Sequence, residues 1–332
     1  MLHPDAAGRG YNWAGGFNVP GAFGVDGVVD ALPTLSSIDL DRGYAVDINA
    51  SRHIVGYSRN ADLQDRPTLW REVHANEWTA SEMMVLDGYS SGQAQGMNEA
   101  SDAVGYSFDS ALGRQPTVWL ADEAWQPYGL PALEGGGAAE ARDINAARQV
   151  VGWADTADGK RHAVLWEYDG QSWTIRDLMA DDSIGESRAV KLNDAGEIVG
   201  RHWVDGNIHH SDAWYWTVDG NSVNLEAHRC SFRRGGAEGW TLIAARDIAE
   251  DGTICGHGTA PGEEPWSAWV LRLDTCVGNV DGADCVDFED LIYLLNHWGP
   301  ECSPADLDCD LGVDFHDLLG LLGDWGCGDC AP

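Results

Sequence analysis

Apolar residues along this chain come in short runs of period two, and the runs return in a fixed order. The triplets IVG (54–56), AVG (103–105), VVG (150–152), IVG (198–200) and ICG (254–256) each follow a polar turn and precede a second apolar run that ends in Trp70, Trp119, Trp166, Trp216 or Trp269. Ahead of them stand AVDIN (45–49), AQGMN (94–98), ARDIN (141–145), AVKLN (189–193) and ARDIA (245–249). Alternation over such short windows is a strand pattern. The triplet glycines Gly56, Gly105, Gly152, Gly200 and Gly256 lie 49, 47, 48 and 56 residues apart. A period of that size with four short strands fits a propeller blade rather than a helical solenoid.

Each blade is predicted strand by strand. The leading alanine (Ala45, Ala94, Ala141, Ala189, Ala245) suits an innermost strand, where a larger side chain would clash. Period two sends the fourth residue (Ile48, Met97, Ile144, Leu192, Ile248) to the opposite face, between blades. Asn49, Asn98, Asn145 and Asn193 then enter turns, where the side chain can bond its own backbone two residues on. Fourth strands are expected at MMVLDG (83–88), YGLPAL (128–133), IRDLMA (175–180) and VNLEA (223–227), and none follows Trp269. VVDALPTL (28–35) resembles the missing strand, and a propeller closes when one terminus completes the other's blade. The expected fold is therefore all-β, a five-bladed propeller over 28–274 closed by the N-terminal strand, after an N-terminal segment at 1–27. GYNW (10–13), as one more third strand, would instead give six blades.

The pattern A-x-D-I-N-x-x-x-x-[IV]-V-G followed by [AT]-x-L-W resembles the HAF family of extracellular repeat proteins across roughly 28–274. That resemblance implies a secreted propeller-like domain whose ligand is not established for the family. Gly96 and Lys191 stand where the other repeats have Asp47, Asp143 and Asp247.

Residues 275–332 have separate chemistry. Asp306, Asp308, Asp310, Asp314 and Asp317 fall at positions 1, 3, 5, 9 and 12 of a loop whose seventh position is Gly312. Hard oxygens at that spacing are what calcium requires. Asn279, Asp281, Asp287 and Asp290 repeat the frame, but Ala283 and Asp284 occupy positions 5 and 6, so this loop should bind more weakly. Behind each loop an apolar stripe has helical spacing: Leu291, Ile292, Leu294, Leu295 and Trp298, then Leu318, Leu319, Leu321, Leu322 and Trp325. The two stripes are expected to bury each other.

Residues 276–330 thus resemble a type I dockerin, of the cysteine-bearing kind found at the ends of secreted proteins of planctomycete-type bacteria. The resemblance implies calcium as cofactor and a cohesin-like protein or cell-surface component as partner. Phe288, Glu289, Phe315 and His316 occupy the positions that face the cohesin in cellulosomal dockerins, where small hydroxyl residues are usual.

Charge narrows the partners. With 54 acidic and 20 basic side chains the net charge is −34, which repels nucleic acid and anionic lipid surfaces. No apolar run is long enough to insert into a membrane. Six of the eight cysteines (Cys276, Cys285, Cys302, Cys309, Cys327, Cys330) lie in the last 57 residues, which reads as a disulfide framework in an oxidising, extracellular compartment. CGDC at 327–330 alone does not complete a zinc site. MLHPDAAGRGYNW lacks the pattern of a secretory signal, so a truncated or misassigned start is expected. Cys230 in the basic insertion HRCSFRRGG (228–236) is a candidate to bridge to Cys255.

The residues after the strand-two glycines, Tyr57, Tyr106, Trp153, Arg201 and His257, are expected near one rim, and of these Tyr57, Tyr106, Trp153 and His257 are the candidate binding residues, where a ring can stack on a saccharide. His202, His209 and His210 sit around a hairpin turn. Asp47, Asp143 and Asp247 recur at equivalent positions, which suits hairpin support better than an acid and a nucleophile in different environments. The expected function is a non-catalytic secreted binding or display protein, anchored through its calcium-dependent module and possessing no catalytic residues; the alternative is a propeller glycoside hydrolase acting on polysaccharide.

Overall fold

The computed structural model describes residues 21–23, 29–36, 42–75, 77–180, 185–203, 211–217, 221–225, 240–260, 267–272, 286–299, 305 and 313–323. The chain is mostly β, with successive antiparallel sheets along the repeats and two helices after them. It divides into two compact units, Met1–Gly196 and Glu197–Pro332, and the division falls in the turn of the fourth repeat.

In the first unit β1 (Gly21–Phe23) pairs with β2 (Val29–Ala31). Three four-stranded meanders follow: β3 (Gly43–Ile48), β4 (Ile54–Arg59), β5 (Asp65–His74) and β6 (Glu77–Glu82); β7 (Ser91–Met97), β8 (Ala103–Asp109), β9 (Gly113–Leu120) and β10 (Gln126–Gly129); β11 (Ala139–Ile144), β12 (Val150–Asp155), β13 (Arg161–Tyr168) and β14 (Trp173–Asp177). Strand β15 (Glu186–Leu192) ends the unit. The second unit holds β16 (Ile198–Trp203), β17 (Asp212–Trp216) and β18 (Ser222–Asn224), then β19 (Thr241–Ile248), β20 (Thr253–Thr259) and β21 (Ser267–Arg272). It closes with α1 (Phe288–Asn296) and α2 (Phe315–Gly323).

A β-bulge recurs in the leading strand, and it overturns the expected facing of the fourth residue. Ala45 pairs with Gly56, but Asp47 pairs with Val55 and Ile48 with Ile54, so Val46 is the extra residue. The same shift lies between Ala94 and Gly96, Ala141 and Asp143, and Ala245 and Asp247. One inserted residue breaks the parity of two, so the alanine and the Ile or Met after it share a face. That face packs on the preceding sheet. Ala94, Met97 and Trp119 meet Val55 and Leu69, and Ala141, Ile144 and Trp166 meet Val104 and Val118. Within the second unit, Ala245, Ile248 and Trp269 meet Val199 and Tyr215. The repeating tryptophans are core, as their repetition suggested.

The bulge also explains the triplet glycine. A Cβ on Gly152 would lie 2.0 Å from the Glu140 carbonyl oxygen, and one on Gly56 would lie 1.9 Å from that of Tyr44. Nothing larger than hydrogen fits.

The expected fourth strands are displaced. β6, β10 and β14 end before or early in the segments assigned to them, and the next apolar residues (Met83, Leu130, Leu178) each donate one last amide to the neighbouring strand, at Pro67, Pro116 and Ala163, and are buried. Met83 and Leu130 pack with the following tryptophan, whose indole N–H donates to a carbonyl just beyond: Trp119 to Met84 at 2.7 Å and Trp166 to Pro131 at 2.7 Å. Trp70 donates likewise to Pro33 at 2.6 Å, and Leu32 is buried with Ile54, Trp70 and Trp78. Leu32 and Pro33 thus stand to Trp70 as Met83 and Met84 stand to Trp119, but the expected completion of the last sheet by 28–35 is not what pairs: among the described residues β2 has β1 as its partner and the β19–β20–β21 sheet keeps three strands.

Turns after the leading strand carry a buried asparagine ladder. Asn49 Nδ2 donates to the Asn98 carbonyl at 3.2 Å, Asn98 Nδ2 to that of Asn145 at 3.0 Å, and Asn145 Nδ2 to that of Asn193 at 3.1 Å. Each Oδ1 accepts from the amide four residues on, at His53, Asp102 and Gln149. The expected bond two residues on exists at Ala147. One side chain thus closes its own hairpin and ties it to the next repeat. The turns need one residue at positive φ, which is Arg52, Ser101, Arg148, Gly196 or Gly252. The non-glycine residues there contribute through their side chains: Arg148 binds Asp102 at 2.8 Å and Ser101 accepts from Asn49 at 2.9 Å.

The third repeat position draws three leading strands together. Asp47 accepts the Met97 amide and Asp143 the Leu192 amide, at 3.0 and 3.2 Å. Lys191 Nζ lies 2.9 Å from Asp143 Oδ1 and 3.6 Å from Asp47 Oδ2. Packed sheets are separated by about 10 Å each, so an open stack would keep the first and fourth leading strands roughly 30 Å apart. They converge instead. Gly96 leaves the room, since a Cβ there would lie 2.9 Å from Asp143 Oδ1. The two departures from aspartate thus supply the counter-charge and the space for the aspartates that remain.

In the C-terminal segment α1 is capped by Asp287, whose side chain accepts from Glu289 N while Asp290 reaches back to the Asp287 amide. Asp314 and Asp317 repeat this geometry at α2. Val286, Leu294, Ala305, Val313 and Leu321 form one core, with Leu291 and Leu318 beside it. Only half of each predicted stripe is buried. Ile292, Leu295, Leu319 and Leu322 stay exposed because they lie roughly a quarter turn or more from Leu294 and Leu321, and Trp298 is exposed past the end of α1.

Candidate functional site

At the end of the strands away from the asparagine turns, the residues after the strand-two glycines occupy equivalent places, as the repeat predicted. Tyr57 pairs with Tyr44, Tyr106 with Gln93, Trp153 with Glu140, and His257 with Ala244. Their rings are not presented alike. Tyr57 stacks on Tyr44 with ring centres 4.8 Å apart, and Tyr44 is exposed. Tyr106 is 7% exposed and lies under the Arg114 guanidinium, 4.6 Å from the ring centre. Trp153 is 3% exposed, with Arg161 at 3.9 Å and Arg188 at 5.6 Å over its ring. Direct sugar stacking on Tyr106 or Trp153, the sequence expectation, is therefore blocked: these rings hold arginines. Burial pushes the Tyr57 and Tyr106 hydroxyls up to about 12, so both remain protonated donors.

A cleft of about 420 Å³ opens beside Tyr106, lined by Arg42, Gln64, Asp65, Gln93, Phe108 and Arg114 among others. Its floor is tied by ion pairs. Arg42 grips Asp65 through Nε and Nη2, at 3.0 Å for Nη2 to Oδ2, and Arg59 approaches the same carboxylate at 3.6 Å. Arg114 Nη1 and Arg142 Nε both bind the buried Glu140, the latter at 2.8 Å. Arg188 is lowered to about 10, first by burial and then by neighbouring Arg161 and Arg142.

Sequence reasoning missed these arginines, although a signal existed. Asp65, Arg114 and Arg161 each stand nine residues after a strand-two glycine, where the third strand begins. That offset puts a charged residue at the rim in every complete sheet of the first unit.

His257 accepts from Arg246 at 3.2 Å and is lowered to about 4 by burial, with Arg246 and Arg201 adding to the shift. It stays neutral at physiological pH. His202 is buried and packs on Trp214, ring centres 4.8 Å apart, which is a core position. Cys255 is a free, exposed thiol, which corrects the expected bridge to Cys230. The other cysteines, His209, His210 and 228–236 lie outside the described residues.

Of the predicted calcium ligands, Asp287, Asp290, Asp314 and Asp317 are described, and Asn279, Asp281, Asp306, Asp308 and Asp310 lie outside the described residues. Asp290 and Asp317 are fully buried. No lysine or arginine occurs after Arg272, so no side chain of this segment with a permanent positive charge can neutralise them. Each accepts a backbone amide, from Asp287 at 2.8 Å and Asp314 at 2.7 Å, and the oxygen donors at these loop positions are of the kind a hard divalent cation takes. Among the described residues alone, no group of three or more His, Cys, Asp or Glu side chains converges as a metal site. Phe288, Ile292 and Leu295 on α1, and Phe315, Leu319 and Leu322 on α2, form matching exposed stripes.

No family model and no curated protein matches this chain. Among solved structures, a triple arginine-to-alanine mutant of AofleA from Arthrobotrys oligospora aligns over 70% of this chain and 82% of that chain, at 11% identity and a TM-score of 0.26. Similarity that low carries no argument about fold or ligand.

Proposed function

We propose that this is a non-catalytic, secreted binding or display protein of the HAF-repeat type, whose sheets close into a propeller and whose C-terminal module folds around calcium to dock a protein partner. The observation that carries the binding reading is the state of the carboxylates. Asp65 is the one carboxylate lining the cleft among the described residues, and Arg42 clamps it. Glycoside hydrolysis needs two, about 5 to 9.5 Å apart and one of them protonated. Asp47 and Asp143, the other candidates, are occupied by backbone amides and Lys191.

Convergence of three leading strands at Lys191 supports a propeller over an open stack. The β1–β2 pair, followed by Leu32 and Pro33, stands where the third and fourth strands of a preceding blade would, which favours the six-bladed count. Buried Asp290 and Asp317, without basic residues in their segment, support calcium. The matched apolar stripes on α1 and α2 support a cohesin-like partner with a hydrophobic face.

A glycan array probed with the full chain in calcium, run beside an assay for newly released reducing ends, tests this reading. Retention on a glycan class without cleavage is expected. Cleavage of any bound glycan would reject it.

A further inference from the structure

We infer that the rim cleft binds an acidic oligosaccharide, one with carboxylates on successive sugars, through Arg42 and Arg114 first and the Arg142, Arg161 and Arg188 group next. This rests on the non-catalytic binding reading above and names the ligand class.

Three observations converge on it. The aromatic platforms at Tyr106 and Trp153 are covered by guanidinium groups, so what this rim offers a ligand is positive charge and planar N–H donors. Arg42 and Arg114 keep 35% and 41% of their side chains exposed at the cleft. Each guanidinium has five N–H donors; the pairs with Asp65 and Glu140 engage Nε and Nη2 of Arg42 and Nη1 of Arg114, which leaves donors for an incoming oxyanion. Those internal carboxylates also hold the forks in place before any ligand arrives, which lowers the entropic cost of binding.

The second arginine group adjoins the first through Glu140, bound by both Arg114 and Arg142. There Arg188 is crowded by Arg161 and Arg142. Glu140 and Glu186 offset part of that repulsion, and an added anion would offset more. Gln64, Gln93, Ser90 and Ser91 in the cleft wall match sugar hydroxyls, and Phe108 gives an apolar wall for a ring face.

Net charge of −34 does not oppose this. At physiological salt, charges beyond about 8 Å are largely screened, so the local arginines decide. The distant acids do set a limit on size, since a polyanion that ran past the rim would meet them. The ligand is accordingly short.

The test is calorimetric titration of the full chain, in calcium and at about 0.15 M salt, with hexagalacturonate, with its methyl ester and with a sulfated oligosaccharide. The ester has the same rings and hydroxyls without charge. The inference expects hexagalacturonate to bind at least about tenfold more tightly than the ester, and Arg42→Gln and Arg114→Gln each to weaken it about tenfold or more, as charged hydrogen bonds do. Both variants should keep the wild-type melting temperature within a few degrees, and Arg114→Lys should recover part of the loss. Equal binding of acid and ester, or full affinity in both folded glutamine variants, would overturn it. Tighter binding of the sulfated probe would overturn the carboxylate assignment. Binding of neutral glycans only would sink this inference and leave the binding reading intact, whereas release of reducing ends would sink the binding reading instead.

Discussion

The asparagine ladder gives the sharpest quantitative prediction, at Asn98. Its Oδ1 accepts the Asp102 amide at 2.9 Å, and its Nδ2 donates to the Asn145 carbonyl at 3.0 Å and lies 3.4 Å from Asp102 Oδ2. Asn98→Ala orphans the Asp102 N–H, a buried donor whose loss costs about 1–3 kcal/mol. The Asn145 carbonyl keeps the Arg148 amide at 3.1 Å, so its share is smaller. With the small cavity left behind, a destabilisation of about 2–4 kcal/mol is expected. Asn98→Asp is the diagnostic partner. It keeps the acceptor but sets a carboxylate oxygen against the Asn145 carbonyl and beside Asp102. At neutral pH it should cost more than alanine, although it is nearly isosteric. Its folded pKa is raised, so the lost stability returns as pH falls and the acid can donate again. Urea denaturation of wild type, Asn98→Ala and Asn98→Asp at two pH values measures all of this. Aspartate costing less than alanine at pH 7, or both within about 0.5 kcal/mol of wild type, would refute the ladder.

Other expectations follow from the same contacts. Gly152→Ala forces a Cβ to 2.0 Å from the Glu140 oxygen and should cost about 3 kcal/mol or more in the same denaturation assay, where a cost below about 1 kcal/mol would count against the bulge geometry. His257, lowered to about 4 in the fold, binds fewer protons than in the unfolded chain between about pH 6.5 and 4; its contribution is complete above that window and is lost as pH falls through it. After allowance for solvent screening this is on the order of 1 kcal/mol, and His257→Asn should flatten that part of the stability–pH curve. Chelation of calcium should speed amide hydrogen exchange at Leu294 and Leu321 in the full chain while leaving Val150–Asp155 unchanged, and Asp317→Asn should raise the calcium concentration needed for protection.

Much of the repeat architecture was legible in the sequence, because the tryptophans, glycines and asparagines recur at fixed offsets and each offset has one steric or hydrogen-bonding cause. The facing of Ile48 and its equivalents was not, since a single bulged residue inverts parity without any compositional mark. Met83, Leu130 and Leu178 looked like the middle of a strand although they end its pairing, because apolar character reports burial and not where a ladder stops. The residues after the strand-two glycines do hold equivalent places, but their surroundings depend on Arg114, Arg161 and Arg188, contributed by other strands. In the C-terminal stripes, helical spacing showed that one face is apolar; it does not tell how wide a part of that face its partner covers.

The account depends most on the convergence of the leading strands, which a double-mutant cycle between Asp47 and Lys191 tests directly. These residues lie 144 positions apart in the chain, and their charged groups approach to 3.6 Å. Stabilities of Asp47→Asn, Lys191→Met and the double variant should show a coupling of about 1 kcal/mol or more. Additivity within about 0.3 kcal/mol would place the two strands too far apart to interact and would contradict the convergence from which the propeller is proposed.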